Sequence, residues 1–141
     1  MKKLLPIILI STNLLISCSK NNPKEQFANL SGYWEIKKVE TPYGKKVEYK
    51  INESIDYINL KDSTGYRVKV LPRIDGKFTT NKDKEQIRVQ IENDSLRMYY
   101  TTPYDEWMET VLKADGEELK VKNSLGAVYT YKKYQIINIT D

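Results

Sequence analysis

The chain has 141 residues, 40% hydrophobic and 30% charged, with six Gly and five Pro, which fits one folded domain rather than a low-complexity or disordered polymer. Its 23 basic residues against 19 acidic ones give +4, too small a surplus for the electrostatic footprint of a nucleic-acid binder. Histidine is absent and Cys18 is the one cysteine, which excludes Cys/His zinc sites, histidine acid–base catalysis, Ser-His-Asp and Cys-His nucleophiles, and any disulfide within one chain.

Met1-Lys2-Lys3 is a short basic start, and Leu4 to Ile10 is apolar with one proline. Ser11-Thr12-Asn13 interrupts it before Leu14-Leu15-Ile16. A spanning helix needs about 20 predominantly apolar residues, so this shorter, broken run fits an export signal better. Leu15-Ile16-Ser17-Cys18 resembles the bacterial lipobox, which implies cleavage after Ser17 and a diacylglyceryl-modified Cys18 as the new amino terminus. Several acyl chains would then hold the protein on a bilayer without spanning it. Residues 1–17 are thus expected to be a signal peptide that takes the charges of Lys2 and Lys3 with it. Residues 18–26 are polar and aperiodic and read as a flexible tether. Serine rather than aspartate follows Cys18, which by resemblance to the enterobacterial sorting rule points to the outer membrane of the cell envelope.

From Tyr33 onward the apolar pattern has period two, the signature of strands. A short helical turn is expected at Phe27–Asn29, then a first strand over Tyr33–Glu40. Ile58 and Leu60 lead through Asp62-Ser63-Thr64-Gly65 to Tyr66, Val68 and Val70, a hairpin in which the glycine supplies positive φ. Ile87, Val89 and Ile91 turn at Asn93-Asp94 into Leu96, Met98 and Tyr100. Glu106–Lys113 passes through Ala114-Asp115-Gly116 to Leu119 and Val121, and Leu125-Gly126 leads into Ala127–Tyr134. The strand at Glu106–Lys113 has no clean inward face: Trp107, Glu109 and Val111 compete with Met108, Thr110 and Leu112. Two connections are longer. Thr41–Glu53 is a loop or a short extra strand through Val47 and Tyr49, and Leu71–Lys84 reads as a solvated basic loop.

Eight strands over residues 27–134, joined by short connections, suit an antiparallel up-and-down meander. Closing it into a barrel removes two long edges. Residues 135–141 are left as a C-terminal tail.

Gly32-Tyr33-Trp34, a G-x-W at the start of the first strand behind a lipobox, resembles the lipocalin-like lipoproteins common in Bacteroidota. The resemblance implies an all-β, eight-stranded antiparallel lipocalin-like barrel. It also implies that Gly32 and Trp34 form the structural motif at its closed end, with a basic residue, Lys132 or Lys133, stacked over the indole. Lipocalins generally use arginine there, and no T-D-Y motif follows in the later strands. The implied activity is binding of a small apolar or amphipathic ligand in the mouth. The alternative is a protein-binding envelope lipoprotein, such as an assembly factor, inhibitor or immunity-type protein, with a packed barrel.

Eleven tyrosines and two tryptophans are the compositional oddity. Tyr57, Tyr66, Tyr100, Trp107 and Tyr129 are the candidate ligand contacts, because each joins apolar area to a polar handle. The competing reading is ordinary cross-strand pairing on half-buried sheet. Carboxylates such as Asp105, Glu106, Glu109, Glu117 and Glu118 have no evident partner to raise their pKa, and Asp62 and Asp83 lack a defensible calcium-loop spacing. No catalytic residue, metal or cofactor is therefore assigned, and no enzyme is expected. Asp62-Ser63-Thr64 and Asp94-Ser95-Leu96 resemble a short O-glycosylation acceptor, although turn chemistry alone accounts for them.

Overall fold

The computed structural model describes residues 22–136. The expected signal peptide, Cys18 and residues 137–141 lie outside them. The tether expected over 18–26 is helical from Pro23. Helix α1 (Pro23–Ala28) is capped by the Asn22 side chain, which accepts from the Lys24 amide, and Pro23 sits in its first turn, where a missing N–H is harmless. The turn expected at Phe27–Asn29 is the end of this helix.

Ten strands follow: β1 (Gly32–Glu40), β2 (Lys46–Glu48), β3 (Ile55–Lys61), β4 (Thr64–Pro72), β5 (Phe78–Thr80), β6 (Glu85–Glu92), β7 (Ser95–Thr101), β8 (Glu106–Ala114), β9 (Glu118–Asn123) and β10 (Val128–Lys133). Eight of them run β1-β3-β4-β6-β7-β8-β9-β10, antiparallel throughout, and β10 pairs back onto β1 to close the barrel. The two extra strands are three residues each. β2 lies along the upper edge of β1, within the loop where a short strand was allowed for. β5 makes a hairpin with β4 inside the stretch expected to be a solvated loop.

Register assigns the faces. Ile87, Val89, Met98, Leu96, Val111 and Val121 point inward and form one buried core with Trp34, Leu30, Ile58, Leu119 and Tyr131. On β8 the inward set is Trp107, Glu109 and Val111, which settles the ambiguity of that strand. The β3–β4 hairpin behaves differently. Its apolar residues Ile55, Val68 and Val70 face outward, yet they are buried, because β5 and Tyr134 fold over them. Tyr33 stacks between Tyr57 and Phe78, 4.5 Å from each, on this outer face. The alternate residues Asp56, Arg67 and Lys69 are consequently turned into the barrel.

The turn between β3 and β4 also differs from expectation in detail. Asp62 takes the positive φ of 55°, while Gly65 is needed for proximity: a Cβ there would strike the Asn59 carbonyl of the neighbouring strand.

The closed end is built by α1 and the start of β1. Gln26 and Asn29 reach the carbonyls of Leu112 and Ala114 at 3.4 and 3.5 Å, tying the helix beneath β8. Trp34 is completely buried, and its indole N–H donates to the Leu30 carbonyl at 2.8 Å. The Lys133 ammonium lies 4.4 Å over the indole and donates to the Ser31 carbonyl. Of the two candidate lysines it is therefore Lys133 that stacks, while Lys132 points outward to Glu35. Gly32, at φ 136°, has no room for a Cβ beneath Lys133.

Candidate functional site

Above the apolar floor, the inward faces of β3, β4, β6 and β8 place five charged residues in the upper barrel: Asp56, Arg67, Lys69, Glu85 and Glu109. Arg67 is the hub. Its Nε meets Glu85 at 2.5 Å, its Nη1 lies 3.6 Å from Glu109, and its guanidinium sits 4.4 Å from the centre of the Tyr100 ring. Lys69 Nζ is 2.6 Å from Asp56 Oδ1. Three carboxylates thus share two cations, a balance in which buried charge is tolerated because each group is paired.

The environment marks Glu109 as the least satisfied member. It is 7% exposed, and among the described residues its Oε2 has no hydrogen-bond partner. Burial pushes its carboxyl up from the ordinary range, against the opposing pull of Arg67. Burial likewise pushes the phenols of Tyr100 and Tyr131 well up, so both are neutral donors at neutral pH. Trp107 stacks on Tyr100 with ring centres 5.1 Å apart and planes 5° from parallel.

A cleft of about 730 Å³ opens onto this cluster, bounded by Asp56, Arg67, Lys69 and Glu85 below and by Lys82, Thr102 and Tyr104 at the rim. Its position follows from strand pairing. β4 pairs with β6 only over Thr64–Arg67 and then turns to β5, so the wall parts near the mouth. The site can hold a polar head group by ion pairing and hydrogen bonding, with aromatic surface beside it.

Of the candidate contacts, Tyr100, Trp107 and Tyr129 face the interior, with Trp107 and Tyr129 half-buried against the main core. Tyr57 and Tyr66 do not line the mouth. They sit on the outer face, edge to face at 6.3 Å, with Lys84 capping the Tyr66 ring at 4.2 Å. Gly32 and Trp34 occupy the closed end, away from the cleft. The charged cluster itself was not anticipated. The one available signal was Glu109, an acid on a strand face otherwise carrying Trp107 and Val111.

A model of the lipocalin-like domain matches residues 30–121. Two solved structures are similar to the chain. One is a lipocalin-like protein from Bacteroides uniformis, 12% identical with a TM-score of 0.48, covering 75% of this chain and 99% of that one. The other is an uncharacterized protein from Bacteroides eggerthii, 11% identical with a TM-score of 0.46, covering 74% of this chain and 98% of that one. No curated protein matches the sequence.

Proposed function

Given that the chain belongs to the lipocalin-like domain family, we propose that it is a lipid-anchored envelope protein that binds a small amphipathic molecule in the mouth of its barrel. The observation that carries this reading is the pairing of an apolar floor with a charged, aromatic-flanked cluster under a 730 Å³ cleft. A purely apolar ligand would leave Arg67, Glu109 and Asp56 facing hydrocarbon, at a cost of several kcal/mol for displaced polar contacts. An amphiphile places its head among Asp56, Arg67, Lys69 and Glu85, which line the cleft beside Tyr104.

The anchoring part of the reading rests on Leu15-Ile16-Ser17-Cys18, and the outer-membrane assignment on Ser19. No catalytic step is assigned to the cluster. Mild detergent extraction of the full chain followed by intact-mass analysis tests both parts at once. The expected result is a chain beginning at an acylated Cys18 with a stoichiometric small amphiphile retained. A chain that never carries or takes up an amphiphile would favour the protein-binding alternative.

A further inference from the structure

The five inward charges of the upper barrel do not balance. Asp56, Glu85 and Glu109 stand against Arg67 and Lys69, which leaves one acid in surplus. The rim residues Lys82, Asp83 and Lys84 do not correct this. They are exposed, so solvent screens them, and Lys84 is turned to the Tyr66 ring.

Two buried carboxylate oxygens also lack a hydrogen bond among the described residues: Asp56 Oδ1 and Glu109 Oε2. The two residues are 4 and 7% exposed, so bulk water does not serve these oxygens, and a buried acceptor without a donor is costly. Asp56 lines the cleft together with Arg67 and Glu85, and Glu109, 3.6 Å from Arg67 Nη1, is the next group inward.

Lys69 displays the chemistry that suits this place. It is the direct cross-strand partner of Asp56, and its Nζ lies 2.6 Å from Asp56 Oδ1. The contact has the distance of an ion pair without the alignment of a hydrogen bond. The Asp56 side chain is 5% exposed and that of Lys69 is 54% exposed, so the lysine reaches its acid from the solvent side and can withdraw into water. Withdrawal opens Asp56 to the cleft, with Glu85 and Glu109 adding to its field.

We propose that the head group bound in this cleft is a primary alkylammonium, seated on Asp56 in place of the Lys69 ammonium. The inference rests on the mouth being a ligand site and names what enters it. One positive charge offsets the surplus acid, and three N–H donors supply the hydrogen bond that Asp56 Oδ1 lacks. A quaternary ammonium has the charge but no donor, an alcohol has a donor but no charge, and a carboxylate adds to the surplus. Arg67 then acts as a positioning residue for Glu85 and Glu109, both of which it meets.

The test is calorimetric titration of the full chain with decylammonium, decyltrimethylammonium, decanol and decanoate, each below its micelle concentration. Decylammonium should bind about tenfold or more tighter than each of the other three. Glu109→Gln removes the surplus charge and should cut that preference severalfold. Lys69→Gln removes the competing ammonium and should tighten decylammonium about tenfold while leaving decanol unchanged. Damage to the fold cannot produce that gain. Equal or tighter binding of any of the other three overturns the ammonium and leaves the mouth as a ligand site. So does a Lys69→Gln chain that binds decylammonium no better than the wild type. Saturable binding of none of the four overturns the mouth reading and this inference together.

Discussion

Lys133 pairs directly with Trp34 across the seam that closes the barrel, and its ammonium lies 4.4 Å above the indole it faces. One lysine therefore links the last strand, the first strand and, through the Ser31 carbonyl, the segment that brings α1 beneath the barrel. Trp34→Ala should cost about 3–5 kcal/mol, the usual range for emptying a buried tryptophan site. Lys133→Met keeps the packing and loses the cation, so its cost should be about 0.5–2 kcal/mol. Urea denaturation of both variants checks the order; an unchanged midpoint for Trp34→Ala would mean the closed end does not hold the fold.

Gly65→Ala should be far more damaging than its size suggests. The added methyl meets the backbone of Asn59 and Leu60 rather than a side chain that can move aside. A loss of about 1–3 kcal/mol is expected, as for other overpacked sites. Gly116→Ala, with open space around it, serves as the control. Thermal melts of the two variants should differ by several degrees.

Glu109 should leave a mark on the pH dependence of stability. Its folded-state pKa is raised by burial, so the folded chain holds this proton more tightly than the unfolded chain does. The contribution to stability is full below the unfolded pKa and is lost as pH rises through the folded pKa. Glu109→Gln removes that loss. The stability difference, variant minus wild type, should grow as pH is raised from the ordinary glutamate range upward. A difference that is flat with pH would mean Glu109 is not held in a desolvated site.

The sequence pattern disclosed the closed meander because period-two alternation survives in β6, β7, β9 and β10, where one face is core and the other is wet. It left the faces of the β3–β4 hairpin unassigned, because alternation says that two faces differ, not which one points in. Val68 and Val70 look like core residues and are buried, but by β5 and Tyr134 on the outside. That inversion sends Arg67 and Lys69 inward, which is why the charged cluster was not legible. β5 could not be foreseen, since three residues with Thr79 and Thr80 exposed show no periodicity. Trp34 was legible because a short motif fixed both its position and its role, whereas Tyr57 and Tyr66 fell on a face that only register assigns.

The proposed lipid anchor predicts a fractionation phenotype. Cys18→Ser should leave an unprocessed or soluble chain, while the barrel keeps its denaturation midpoint because α1 and the strands begin after it. A variant still cleaved after Ser17 and still held on the membrane would rule out lipidation at this residue.

Binding in the mouth is tested most directly by calorimetric titration of the full chain with a single-chain amphiphile, comparing Arg67→Lys with Arg88→Lys. Arg67→Lys keeps the charge that Glu85 and Glu109 require but loses the planar fork, whereas Arg88 caps Tyr99 on the outer wall. Saturable one-to-one binding should weaken about tenfold or more in Arg67→Lys, about 1.4 kcal/mol, and stay unchanged in Arg88→Lys. Absence of saturable binding in the wild type, or equal weakening by both substitutions, would contradict the assignment of the mouth as the ligand site.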